Sequence, residues 1–110
     1  MNDRDTVIVD GLRTPFGRMG GAFATLSAVK LASPLIKEIV KRTKIDVNTI
    51  DEVIVGQVVQ AGCGQIPSRQ ALLAAGLPNT TESTTVNKDC ASGMRAVTIA
   101  DLRIRANDAD

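Results

Sequence analysis

Two cysteines, Cys63 and Cys90, and the absence of any histidine set the limits on what this chain can do chemically. The cysteines are not arranged as a CxxC pair, and a structural zinc site needs four Cys- or His-type ligands, so no metal site is expected. Neither a Cys-His nor a Ser-His catalytic pair can be built from these residues alone. A disulfide between Cys63 and Cys90 would be disfavoured in a reducing compartment. Cys90 has the more informative setting. Ser83–Asn87 reads as a short strand, and Cys90 follows almost at once. Ala91, Ser92 and Gly93 come next, and then an apolar helical stretch. Strand, sharp turn and helix together form the arrangement by which many enzymes expose a nucleophile. The N–H groups and partial positive charge at a helix N-terminus favour a thiolate and can stabilise an oxyanion formed when that thiolate attacks a carbonyl. Small side chains at 91–93 leave room for a substrate. The same local features equally fit a buried structural thiol, which behaves as a small hydrophobe.

A second candidate is weaker. Gly62-x-Gly64 invites a phosphate-loop reading, but it lacks a third glycine at the right spacing and the Lys-Ser/Thr of a Walker loop. A tight turn between a strand and a helix is the favoured reading. Composition narrows the field further. The apolar fraction of 44% and charged fraction of 23% are those of an ordinary globular protein. A net charge of +1 gives no electrostatic footprint for nucleic acid or an anionic membrane. With two Phe and no Trp or Tyr, base stacking is not expected either. The early residues Met1-Asn2-Asp3-Arg4-Asp5 fit neither a secretory signal nor a transit peptide, which makes the cytoplasm the expected location.

The elements that must position Cys90 follow from periodicity and punctuation. Thr6–Asp10 is a β-branched apolar run ending at Gly11, predicted as a buried strand. A long irregular stretch over 12–26 follows, a length typical of functional or interface loops. Ser27 to Thr43 has helical periodicity. Leu31, Leu35, Ile36, Ile39 and Val40 lie on one face, Lys30, Lys37, Glu38 and Lys41 on the other, and Pro34 disturbs the pattern. Glu52–Gly56 is the second predicted strand. Pro67 opens a helix over Ser68 to Ala75, stopped by Gly76. The third strand is Ser83–Asn87, and the third helix runs from Cys90 to Ala106, with Asn107 at its left-handed terminus. Alternating strands and helices imply an α/β fold with βαβ crossovers and a mostly parallel sheet.

Three separated blocks resolve the ambiguity at Cys90. Arg13-Thr14-Pro15-Phe16-Gly17, Gln60-Ala61-Gly62-x-Gly64-Gln65-x-Pro67-x-Arg69-Gln70 and Asn87-Lys88-x-Cys90-Ala91-Ser92-Gly93-Met94 resemble successive blocks of the thiolase family, in the family's order. The resemblance covers essentially the whole chain and implies that 1–110 is part of an N-terminal domain with a thiolase-like fold. It implies that Cys90 is the nucleophile, accepting an acyl group from acyl-CoA for transfer to acetyl-CoA, or running the reverse thiolysis. The Cys90 backbone N–H would be one oxyanion donor. Coenzyme A thioesters would be substrates, with no resident cofactor. The family's two histidines and second cysteine lie in its C-terminal half, so Cys63 is read as structural.

Several consequences are expected. The fragment alone should be inactive and should need its missing half or self-associate. In the full-length protein the family's dimers or tetramers imply a homo-oligomer, with the loops at 12–26 and 58–66 as interface segments. The runner-up is a ketoacyl carrier-protein synthase type of condensing enzyme; a non-catalytic α/β interaction module or redox thiol protein is the alternative from another class. Asp89 departs from the family, where an apolar residue is usual, and a carboxylate there would oppose a thiolate. At a strand end it is expected to point away from the Cys90 side chain. The third helix is apolar on nearly every side and is expected to be buried all round.

Overall fold

The computed structural model describes residues 4–110. Its first element, α1 (Ala28–Thr43), begins where Ser27 accepts a hydrogen bond from the Lys30 N–H at 3.2 Å. A serine in that position satisfies one of the four amides a helix start leaves unpaired. Pro34 lies inside the helix without ending it. Both Pro34 and Lys30, whose carbonyl loses its partner, are exposed, so water can replace the missing bond. The helix stops at Lys44 in the left-handed conformation (φ 56°), whose N–H bonds the Val40 carbonyl.

A short 3-10 turn (Val47–Thr49) leads into β1 (Glu52–Gly56). The crossover helix α2 (Pro67–Ala74) has Pro67 in its first turn, where a missing N–H costs nothing. It ends in a Schellman motif. Gly76 adopts φ +88°, its N–H bonds the Leu73 carbonyl, and the Leu77 N–H reaches back to Leu72. The chain then forms β2 (Glu82–Val86), parallel to β1 from Glu52 opposite Glu82 to Gly56 opposite Val86. The last helix, α3 (Ser92–Arg105), closes with Asn107 at φ 61° and the Asp108 N–H on the Arg103 carbonyl.

The sheet separates two layers of helix. α1 and α2 pack together, and Leu72, Ala75 and Leu77 form the buried core with Ile36, Val40, Ile50 and Val53 around it. α3 lies against both strands on the other side. Alternation along β1 sorts its side chains accordingly: Val53 enters the core cluster, while Glu52 meets Arg103 of α3. Arg103 also pairs with Glu82 (3.4 Å) and Asp108 (2.7 Å), so one guanidinium joins α3 to the first residue of each strand.

Two expectations are corrected. Thr6–Asp10 is not a strand: it makes no ladder, and Val7, Ile8 and Val9 are exposed. A run of β-branched residues supplies the propensity, but a strand exists only through a partner, and the sheet holds β1 and β2 alone among the described residues. The segment is instead pinned at its ends. Arg4 bonds the Ile104 and Ala109 carbonyls, and Asp10 pairs with Arg42. Nor is α3 buried all round. Ser92 and Ala96 face the sheet, while Met94, Val97 and Leu102 are exposed, because a single sheet covers one side of a helix. No helix among the described residues is long and apolar enough to cross a membrane.

Candidate active site

The stretch from Asn87 to Ser92 turns the chain from the end of β2 into α3. Cys90 lies in that turn, two residues before the first helical residue, and is exposed. The helix was expected to begin at Cys90 itself; it begins at Ser92, and Ala91 occupies the cap with no side-chain cap bond. The turn is tightened by two backbone bonds, Ala91 N–H to the Lys88 carbonyl (3.1 Å) and Ser92 N–H to the Asp89 carbonyl (3.0 Å). Among the described residues none accepts a hydrogen bond from the Cys90 N–H.

Asp89 has φ 47°, in the left-handed region that non-glycine residues rarely occupy. The expectation that strand alternation would turn its side chain from Cys90 therefore does not apply, since Asp89 lies beyond the strand and in a turn. Side chains on both flanks hold this conformation. Asn87 Oδ1 accepts from the Asp89 N–H at 3.0 Å, and Asn87 Nδ2 donates to the Val58 carbonyl at 3.3 Å. Ser92 Oγ accepts from the Lys88 N–H at 2.8 Å and donates to the Asp89 carbonyl at 2.7 Å. Ser92 is 4% exposed, so its hydroxyl is committed to the backbone. Its size, shared with Ala91 and Gly93, predicts only room for a substrate and not this role. The signal was present, because serine and asparagine beside a turn commonly bond local backbone groups.

Below this turn lies Gly56, the last residue of β1. A Cβ there would run into the Ser92 carbonyl and the Gly93 amide, so the strand and the start of α3 touch backbone to backbone. Only glycine allows that approach.

The glycine-rich loop is built for support. Gly62 and Gly64 adopt φ +75° and +77°. Gln70 Nε2 donates to the Cys63 and Gln65 carbonyls, both at 2.8 Å. Arg69 holds the Thr81 and Asn79 carbonyls, so the basic residue in that block supports the approach to β2. The loop reaches the Cys90 turn through the Val58–Asn87 bond. Cys63 is half-buried, with its thiol 3.5 Å from Gln57 Nε2. The Arg13 block is not joined to Cys90 by any hydrogen bond or ion pair. Arg13 stacks on Phe16, 4.6 Å from the ring centroid, in an exposed loop. Among the described residues no cluster of three or more His, Cys, Asp or Glu side chains is placed to hold a metal. An apolar trough of about 520 Å³ runs between β1 and α3 from Gly56 and Gly93 to Ile104, without Cys90 in its walls. Chemically, the site offers an accessible thiol on a hydrogen-bonded, strained turn, with an uncommitted amide at the same residue.

The chain is similar to known proteins over most of its length. Residues 6–110 match the sequence profile of the thiolase N-terminal domain. The chain is 45% identical over 107 residues to a probable acetyl-CoA acetyltransferase of Escherichia coli K12, covering 97% of this chain and 27% of that protein. It is 46% identical over 106 residues to a mitochondrial acetyl-CoA acetyltransferase of Danio rerio, covering 96% of this chain and 25% of that protein. The fold superposes on the crystal structure of the Acat5 thiolase from Ascaris suum in complex with coenzyme A, with a TM-score of 0.78 and 35% identity. That match takes in 81% of this chain and 23% of the other. The chain thus spans about a quarter of the length of the curated relatives it matches.

Proposed function

The chain belongs to the thiolase family, as its match to the N-terminal domain over residues 6–110 shows, and from that premise we propose that Cys90 is the nucleophile of an acyl transfer between coenzyme A thioesters. In the first step the Cys90 thiolate attacks the acyl-CoA carbonyl carbon. The oxyanion then collapses, and the coenzyme A thiolate leaves. In the second, the carbanion of acetyl-CoA attacks the Cys90 thioester, releasing a 3-oxoacyl-CoA; thiolysis runs the sequence backwards. A thioester intermediate divides a hard carbon–carbon step into two easier ones because thiolate leaves readily. The Cys90 N–H serves as an oxyanion donor to the acylated form. This chain supplies no histidine for the proton transfers that these steps need.

The observation that carries the reading is the exposed Cys90 on a strained strand-to-helix turn, within a chain 45–46% identical to acetyl-CoA acetyltransferases. Those identities favour the thiolase branch over a carrier-protein synthase. The coenzyme A bound by the Ascaris suum relative supports thioester substrates here. We propose further that the protein works as a homo-oligomer, which the exposed Phe16 and Met19 in the 12–26 loop support. The test is acetyl-CoA labelling of the protein as its gene encodes it, read by peptide mass spectrometry. One acetyl group on the Cys90 peptide, absent in Cys90→Ser and retained in Cys63→Ser, is the expected result. Label on Cys63, or none on Cys90, would sink the reading.

A further inference from the structure

Building on the reading of Cys90 as the acylated residue, we infer that Ser92 is a positioning residue for the Cys90 amide and so governs oxyanion stabilisation rather than the nucleophilicity of the thiol. The peptide unit joining Asp89 to Cys90 decides where that amide points. A peptide group is planar and trans here, so its carbonyl and its N–H point in opposite directions and turn together. The Asp89 carbonyl is fixed by two donors from one residue, Ser92 Oγ at 2.7 Å and Ser92 N–H at 3.0 Å. With the carbonyl drawn toward the start of α3, the Cys90 N–H is aimed the opposite way, and none of the described residues accepts from it. Ser92 Oγ also accepts from the Lys88 N–H, so the hydroxyl cannot rotate its proton elsewhere without losing a bond.

The anchor is itself tightly packed. Ser92 is 4% exposed, and its backbone lies directly on Gly56 of β1 with no space for even a methyl group between them. Asn87 steadies the preceding peptide through the Asp89 N–H but does not touch the Asp89–Cys90 unit. The strained φ of 47° at Asp89 is what the Ser92 bonds maintain. The thiol is held differently: Cys90 Sγ has no hydrogen-bond partner among the described residues. Loss of the Ser92 hydroxyl therefore removes the shorter of the two bonds that fix the plane carrying the amide, leaving only the Ser92 N–H to hold it, and leaves the Cys90 side chain as exposed as before.

That separation gives a clean test. Acyl transfer passes through an oxyanion, whereas alkylation of a thiol by iodoacetamide does not. In the protein as encoded, Ser92→Ala should lower kcat for acetyl transfer by about 10- to 100-fold, part of the 10²–10³ lost when an oxyanion donor is removed outright. KM should stay within about twofold, as expected for an interaction made only in the transition state. Alkylation of Cys90, measured against Cys63 in the same molecule, should stay within about twofold. Ser92→Thr, which keeps a hydroxyl, should recover part of kcat. An unchanged kcat in Ser92→Ala would overturn the inference, and so would a parallel fall in alkylation, which would mean that the turn as a whole had collapsed. If the wild-type Cys90 is never acetylated, the thiolase reading itself fails. If it is acetylated and Ser92→Ala matches it, only the Ser92 role fails.

Discussion

Gly56→Ala should both destabilise the protein and disable its site. The added Cβ would lie 2.5 Å from the Gly93 nitrogen and closer still to the Ser92 carbonyl group. Comfortable non-bonded separations are about 3.5 Å, so the first turn of α3 would have to retreat by about 1 Å. The obstructing atoms are backbone and cannot rotate away. Overpacking of this kind costs about 1–3 kcal/mol. With a urea slope of about 2 kcal/mol/M for a chain of this size, the unfolding midpoint should fall by about 1 M. A displacement of about 1 Å at a reacting group can cost about 10²-fold in rate, so acetyl transfer to Cys90 should fall on that scale. Gly93→Ala is the control. Gly93 meets the same place from the helix side, yet a Cβ there touches nothing within 4 Å and its φ is not positive. It should raise stability by about 0.5 kcal/mol through helix propensity alone. Equilibrium urea titration of both variants by circular dichroism decides the matter. Equal midpoints for Gly56→Ala and the wild type would refute the claim that strand and helix meet backbone to backbone.

Other outcomes follow from the same structure. Leu72→Ala empties a fully buried site between Ala75, Leu77 and Val53 and should cost about 2–5 kcal/mol by urea titration, among the largest single losses available. Ser27→Ala removes the acceptor for the Lys30 N–H and should cost about 1 kcal/mol, seen as a lower midpoint and faster amide exchange in the first turn of α1. Arg103→Met strands Glu52, whose side chain is only 8% exposed, and unties Glu82 and Asp108. Its thermal midpoint should drop more than that of Arg105→Met, which breaks an exposed pair with Asp101 along one helix. Equal drops would show that Arg103 is no more than a surface cation.

Local signals located most elements well. The Ser27 cap, Gly76 and Asn107 punctuate the helices where serine, glycine and asparagine are expected to, because each acts on backbone groups within a few residues of itself. Glu52–Gly56 is the strand that its β-branched run predicts, and Glu82–Val86 lies one residue earlier than its own. Thr6–Asp10 carries the same Val-Ile-Val run as β1 and yet makes no ladder. Propensity is local and pairing is not. The apolar surround of α3 likewise showed how many neighbours the helix could accept, while the structure shows one face covered and Met94, Val97 and Leu102 open.

What the sequence determined by itself is the order of elements from α1 onward, the parallel crossover that their alternation implies, and the placing of Cys90 between strand and helix. Those follow from residue types and short spacings. Tertiary structure decided how the thiol is presented: Asp89 in a left-handed turn, Ser92 turned inward onto two peptide groups, and Gly56 brought against the start of α3 from the neighbouring strand. Spacing alone fixes none of these, although serine and asparagine beside the turn hint at the local bonds. Each depends on the three-dimensional approach of groups that the chain leaves several to tens of residues apart, and on burial that makes a hydroxyl choose backbone over water.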